Sequence, residues 1–79
     1  MQNVKIQITC NGDESIETRN FYADEVGNTL YISEVVRPDM MPVIAELPFV
    51  GHPNYNLYTV LLEYFAYEYE LIEISIKNE

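Results

Sequence analysis

Residues 4–10 read VKIQITC, an unbroken alternation of apolar and polar side chains. The apolar members are Val4, Ile6, Ile8 and Cys10. A period of two is typical of a strand that buries one face and exposes the other. Asn11-Gly12-Asp13 follows, and Asn-Gly is the dipeptide most typical of a two-residue β-hairpin turn. Residues 4–13 therefore predict a strand, a tight turn and an antiparallel return.

The chain after this turn predicts two further strands. The first covers residues 16–22 with a weaker alternation, and a turn between residues 24 and 28 follows, with Gly27-Asn28 at its pivot. The next covers residues 29–36, which are rich in β-branched and aromatic side chains. Together the three strands form an antiparallel meander.

The middle of the chain carries all four prolines, at positions 38, 42, 48 and 53. Proline lacks the backbone N–H that regular structure uses, so we expect only an edge segment over residues 43–45 or a single turn of helix. Residues 40–50 are also rich in apolar side chains. This segment should therefore lie across the sheet or along its edge, or else form a hydrophobic docking surface.

The last third predicts a helix and a strand. The helix runs from about residue 55 to residue 67, with Asn54 or Asn56 as its N-cap. Helical spacing defines a core face made of Leu57, Tyr58, Leu61, Leu62 and Phe65. Glu63, Tyr67 and Glu70 fall on the opposite arc. Residues 71–77, LIEISIK, alternate again and predict a final strand with one apolar face made of Ile72, Ile74 and Ile76.

These elements predict an α+β fold of order β-β-β-α-β. One helix packs on a face of a small antiparallel or mixed sheet of about four strands. A chain of 79 residues is too short to divide into separately folding units, so residues 1–79 are expected to form a single acidic domain.

Charge is the strongest feature of the composition. Thirteen carboxylates stand against four basic residues, which gives a net charge of −9. A net charge of about 2–8 already keeps a small domain soluble, so −9 lies slightly beyond what solubility requires. Such a chain repels nucleic acid and anionic membranes and attracts basic protein surfaces. We therefore expect a basic protein partner, with no direct binding to nucleic acid or membrane.

The single cysteine, Cys10, cannot form an intramolecular disulfide, which suits a reducing compartment. The N-terminal residues MQNVKIQITC lack the apolar stretch of a signal peptide. No run approaches the roughly 20 apolar residues that cross a bilayer. The sequence therefore predicts a cytoplasmic protein, in the host cytoplasm if a phage encodes it.

Residues that carry out catalysis or bind metals are scarce. A dyad of Cys10 and His52 would be the minimum for thiol catalysis, and His52 lies in a Gly-His-Pro turn, more typical of a surface residue. One cysteine and one histidine cannot build a zinc site. The three glycines are isolated, unlike those of a phosphate-binding loop. We expect no enzyme activity, no cofactor and no metal.

Two acidic groups are the candidate partner-binding residues. Residues 63–70 read EYFAYEYE, where tyrosines, which favour binding hot spots, alternate with carboxylates that can pair with arginine or lysine. The candidates there are Glu63, Tyr67 and Glu70. The first hairpin contributes Asp13, Glu14 and Glu17. A helix with a core face and a solvated acidic face would explain the first group equally well.

In size and charge the chain resembles phage-encoded anti-restriction and anti-CRISPR inhibitors, and also immunity proteins that neutralise basic nuclease toxins. The resemblance implies an acidic inhibitor that occupies the nucleic-acid-binding surface of another protein. The alternative is a structural or adaptor module that forms a homodimer or larger oligomer through its apolar 40–50 segment or a sheet edge.

Overall fold

The computed structural model describes residues 3–48 and 56–78, and within these it contains five strands and one helix. The elements are β1 (Asn3–Asn11), β2 (Ile16–Val26), β3 (Thr29–Glu34), β4 (Val43–Pro48), α1 (Leu57–Glu68) and β5 (Leu71–Asn78). The strands form one antiparallel sheet in the order β4-β3-β2-β1-β5. The predicted α+β class is confirmed, with five strands where about four were expected.

The additional strand is β4. Because of the prolines in this part of the chain, the sequence predicts only a short edge segment over residues 43–45 or a single turn of helix. Pro42 precedes β4 and Pro48 ends it, and β4 lies at the edge of the sheet, where only its β3 side is paired. An edge strand tolerates proline because its free side needs no N–H donor. Residues 43–48 therefore lie along the edge, one of the two placements expected. Residues 49–55, with His52 and the alternative N-cap Asn54, lie outside the described residues.

The core lies between one face of the sheet and α1. All four apolar residues of β1 are buried, as predicted. The remaining buried apolar residues are Phe21 and Ala23 of β2, Leu30 and Ile32 of β3, and Leu57, Leu61 and Phe65 of α1. The rings of Phe21 and Phe65 are 4.8 Å apart between centroids. Each such aromatic or aliphatic side chain contributes about 1.5–3 kcal/mol on burial, and these contacts fix α1 over the centre of the sheet.

Helix α1 begins as predicted but is rotated about its axis. Asn56 is the N-cap, and its Oδ1 accepts a hydrogen bond from the backbone N–H of Thr59 at 2.8 Å. Tyr58 and Leu62, expected in the core, are exposed, whereas Val60 and Tyr64 pack against it. The reason is that Ala45 and Leu47 of strand β4 also pack on the core, which widens the sheet on that side of the helix.

Two local predictions also change. Asn11-Gly12 does not form a two-residue turn, because Asn11 still pairs with Ile16 and a four-residue loop, closed by a 2.8 Å bond from Gly12 N to Ser15 O, follows it. Gly27, with φ of 63°, does form the predicted turn between β2 and β3.

In β5 the register with β1 shifts between Thr9 and Cys10. This irregularity leaves Ile72 53% exposed, while Ile74 and Ile76 pack on the core.

Candidate partner-binding surface

A backbone hydrogen bond joins the two acidic segments that the sequence singles out. The N–H of Asn11, at the end of β1, donates to the carbonyl of Glu70 at 3.0 Å. Helix α1 ends at Glu68, and the next residue, Tyr69, is extended with φ −132° and ψ 152°. The predicted position of Glu70 on the helix face with Glu63 and Tyr67 is therefore wrong. Glu70 lies in the α1–β5 connection, against the first hairpin.

This hydrogen bond gathers exposed carboxylates at one end of the molecule, which we call the acidic end. Its members are Asp13, Glu14, Glu17, Glu68, Glu70 and Glu73. Glu73 belongs to it because β5 pairs it with Thr9, near the end of β1. Six of the thirteen carboxylates of the chain thus lie around a single hairpin and the adjoining end of α1. Glu68 and Glu73 were not among the predicted residues, since only the strand register and the helix end place them there.

The acidic end is electrostatically unfavourable for α1 itself. A helix C-terminus carries a partial negative charge, and basic residues usually occupy it. The last turn of α1 holds no basic residue and includes Glu68, and Glu70 follows directly. A misplaced charge of this kind costs about 0.3–1 kcal/mol at low ionic strength. The helix terminus therefore adds to the negative potential of the carboxylates around it.

Arg19 is the cation that borders the acidic end, and Glu34 holds it. Its Nε and Nη2 donate to the two carboxylate oxygens of Glu34 at 2.8 and 2.9 Å, a bidentate pair. The guanidinium also lies 5.1 Å from the ring centroid of Tyr69. The hydrogen bond to Glu34 raises the pKa of Arg19, and the nearby charge of Glu17 acts in the same direction. The hydrogen bonds of the Arg19 guanidinium go to Glu34, which lies outside the acidic end, and its interaction with Glu17 is the weaker one.

An exposed tyrosine stands beside the acidic end. Tyr67, in the last turn of α1, is 87% exposed, the highest value among the large hydrophobic side chains described. Glu63 lies one turn earlier, and both border a groove of about 430 Å³ between α1 and β4 that Leu47 and Tyr64 also line. Burial raises the pKa of Tyr64, with a further contribution from Glu68. The half-buried Tyr64 thus forms the floor of a groove whose rim is acidic and aromatic.

The structure places the six predicted residues in two adjoining groups. Asp13, Glu14 and Glu17 lie on the first hairpin, and Glu70 lies beside them through its bond to Asn11. The second group is Glu63 and Tyr67, on the β4 side of α1. Tyr67 is next in sequence to Glu68 of the acidic end, so the two groups form a continuous surface around the helix terminus.

A second exposed surface is apolar and follows the edge of the sheet formed by β4. Strand β4 and the connection before it carry five exposed apolar side chains within nine residues. They are Val36, Met40, Met41, Val43 and Ile44. The outer backbone groups of β4 are unpaired within the described sheet. We call this surface the apolar edge; its residues from Met40 to Ile44 belong to the predicted 40–50 docking segment, of which the structure describes residues 40–48.

Residues 3–48 and 56–78 contain no group of three or more His, Cys, Asp or Glu side chains that could hold a metal ion. No helix formed by these residues is long and apolar enough to cross a membrane. Comparisons of the chain with models of protein families, with curated proteins and with solved structures find no match.

Proposed function

We propose that this protein is an acidic inhibitor that occupies a basic nucleic-acid-binding surface of another protein. The observation that carries this proposal is the acidic end, where the Asn11–Glu70 hydrogen bond joins carboxylates from two distant segments. Negative charge at the C-terminus of α1, where Glu68 lies, is unfavourable for the helix. Evenly spread carboxylates would avoid this loss of helix stability. Their concentration at one end of the molecule is what we expect of a surface used for binding.

The inhibitor acts by occlusion. The carboxylates of the acidic end come from a loop, two strands, the last turn of α1 and the α1–β5 connection, and together they form a concentrated negative surface that attracts the basic groups of a nucleic-acid-binding site. Lysines and arginines of the partner pair with these carboxylates through charge-assisted hydrogen bonds. Tyr67 supplies a large, exposed contact area beside them. Steering by the negative surface makes association fast at low salt and slower as the ionic strength rises.

The leading form of this proposal is a phage anti-defence protein directed at a restriction enzyme or a CRISPR effector. The second form is an immunity protein directed at a nuclease toxin. Both forms place the protein in the cytoplasm, and neither requires an enzymatic activity. The two differ only in which basic protein the acidic end contacts, so the same experiment separates them.

The test is displacement of nucleic acid from a defined set of purified proteins. A restriction enzyme, a CRISPR effector nuclease and a colicin-type nuclease are each loaded with fluorescent nucleic acid, and the protein is titrated in. We expect a fall in anisotropy for one of the three classes, with an apparent affinity that declines as potassium chloride is raised. Bound nucleic acid that survives saturating protein in all three cases would contradict the proposal.

The apolar edge supports a second candidate, an adaptor that self-associates through β4. Its basis is the run of exposed apolar residues from Val36 to Ile44 beside an unpaired strand edge. In that case light scattering should find a dimer or larger oligomer that persists in high salt. A lysine on an edge strand opposes strand pairing, so Val43→Lys should yield a monomer. A wild-type protein that is already monomeric at high concentration would remove this candidate.

A further inference from the structure

The face of the sheet opposite α1 carries two of the four basic residues of the chain side by side. Lys5 of β1 and Lys77 of β5 are direct cross-strand partners. Both are exposed. Like charges placed directly opposite each other destabilise an antiparallel pair. Two of four cations in so acidic a chain thus adopt a mutually repulsive arrangement.

Neutral polar side chains surround the two lysines. Gln7 pairs with Ser75 of β5 on one side and with Asn20 of β2 on the other, one row away from the lysine pair. With Lys5 and Lys77 they line a concavity of about 180 Å³. The amide and hydroxyl groups can all donate hydrogen bonds. Among the residues that the structure describes, no carboxylate lines this concavity.

The described ion pairs do not involve these lysines. Within residues 3–48 and 56–77, Arg19 pairs with Glu34 and Arg37 pairs with Asp39. Both arginines therefore have a carboxylate partner in this part of the chain, and both lysines lack one there. An anion held between the two ammonium groups would convert their repulsion into attraction.

We infer that this concavity binds an oxyanion, a phosphate or carboxylate group, between Lys5 and Lys77. The lysines supply the charge, and Gln7, Asn20 and Ser75 supply hydrogen bonds. The volume suits a single anionic group. None of the five residues named above belongs to the acidic end, so the inference does not depend on the inhibitor function proposed for that end.

A larger depression adjoins the site and provides room for the rest of a ligand. Tyr22 pairs with Lys5 across the β1–β2 ladder. It also lines a depression of about 690 Å³, whose other lining residues among those described are Asn3, Asp24, Ser33, Val35, Pro38 and Met41. The aromatic ring of Tyr22 and the apolar side chains of Val35 and Met41 favour a flat or apolar body, and the carboxylate of Asp24 disfavours a second anionic group there. The ligand class is therefore a small molecule with an aromatic or apolar body and one oxyanion.

The experiment follows backbone amide resonances while inorganic phosphate is added at constant ionic strength. We expect saturable shifts confined to the polar face of β2, β1 and β5. Phenyl phosphate, which adds an aromatic body, should bind several-fold more tightly and also shift Tyr22. Equal affinity for the two probes would overturn the part assigned to the depression. Shifts that stay linear, or that also appear around Arg19 and Arg37, would overturn the site itself.

Three variants complete the test. Lys5→Gln should weaken phosphate binding by about tenfold or more, the usual loss for a hydrogen bond to a charged group. Lys77→Glu should abolish binding while raising the melting temperature, because an opposite-charge pair replaces a like-charge pair. That gain shows that the variant is folded. Arg37→Gln, which removes an exposed cation on the β3–β4 connection, should bind phosphate as the parent does. Retained binding in both lysine variants would refute the inference.

Discussion

At the residue scale, the alternation of apolar and polar residues correctly predicts that Cys10 is buried. The alternation of residues 4–10 predicts that its thiol faces inward, and the structure leaves it only 2% exposed. The same pattern correctly places its three apolar neighbours in β1, because a strand of period two has only two faces. The alternation continues to Asn11, which is exposed, but the turn predicted there does not form, since Asn11 stays in β1 through its pairing with Ile16 and its hydrogen bond to Glu70.

Substitution of Cys10 should destabilise the protein in a fixed order. Cys10→Ala removes a buried sulfur and should cost about 1 kcal/mol, typical of a core change. Cys10→Ser should cost more, because it buries a hydroxyl in an apolar core. Urea denaturation of both variants measures the difference. Rapid labelling of the native thiol, or a serine variant as stable as the alanine one, would contradict the inward position.

Tyr64 and Tyr69 should make the fold sensitive to alkali. Burial is the main cause that raises the pKa of each, so the folded state holds their protons longer than the unfolded state does. Above the ordinary tyrosine pKa of about 10, the unfolded state therefore binds fewer protons, and stability falls as pH rises. The double variant Tyr64→Phe, Tyr69→Phe should lose stability less steeply between pH 9 and pH 11 in urea denaturation. An unchanged slope would show that these phenols do not contribute.

At the scale of elements, α1 illustrates what a helical projection can and cannot provide. Its N-cap and its core residues Leu57, Leu61 and Phe65 follow from the sequence. The projection could not choose between the Tyr58–Leu62 side and the Val60–Tyr64 side as the second buried row. That choice depends on the full length of β4, and the prolines in this part of the chain predicted no more than an edge segment over residues 43–45 or a turn of helix. Tertiary context, and not helix periodicity, decides the rotation.

Substitutions on the exposed side of α1 should change binding without changing stability. Exposed changes usually alter stability by about 0.5 kcal/mol or less, so Glu63→Gln with Tyr67→Ala should leave the melting temperature nearly unchanged. If this face contacts the partner, losing the aromatic anchor and one charge should cost on the order of 2–4 kcal/mol of binding. Calorimetry measures this loss of affinity, with the protein from which the parent displaces nucleic acid as the partner. Tyr58→Ala, on the other side of α1, is the control and should bind normally.

Outcomes for this pair of variants are distinct. Weakened binding in the Glu63–Tyr67 variant alone supports a contact that includes the helix. Equal affinities for the variant, the Tyr58→Ala control and the parent would assign α1 to the scaffold, and the contact would then be confined to the hairpin and the α1–β5 connection.

At the scale of the whole molecule, composition predicts the sign of the charge but not its distribution. The value of −9 follows directly from the residue counts. The gathering of Asp13, Glu14 and Glu17 with Glu70 depends on a hydrogen bond between segments almost sixty residues apart. The Lys5–Lys77 pair likewise depends on the β1–β5 ladder, which joins the two ends of the described chain. No local pattern carries that information.

We propose that the acidic end, rather than the net charge alone, contacts the partner protein. A variant with Asp13→Asn, Glu14→Gln and Glu70→Gln removes three of its charges. Glu17 is left in place, because its side chain packs so closely on Gly12 that a Cβ there would lie 2.5 Å from Glu17 Cδ. Changing Glu17 would therefore risk altering the hairpin itself.

A matched control removes three carboxylates elsewhere. Asp24→Asn and Glu25→Gln lie at the end of β2 nearest the Gly27 turn, and Glu46→Gln lies on β4. Both triple variants have a net charge of −9 plus 3, or −6. Any effect of overall charge on solubility, steering or stability is therefore the same for the two proteins to first order.

The decisive measurement is the affinity of both triple variants for the protein from which the parent displaces nucleic acid. We expect the acidic-end variant to bind at least about thirtyfold more weakly, a loss of roughly 2 kcal/mol, with a shallower dependence on salt. The control should remain within a few-fold of the parent. Equal losses in the two variants would contradict the account, because the partner would then respond to total charge and not to this surface.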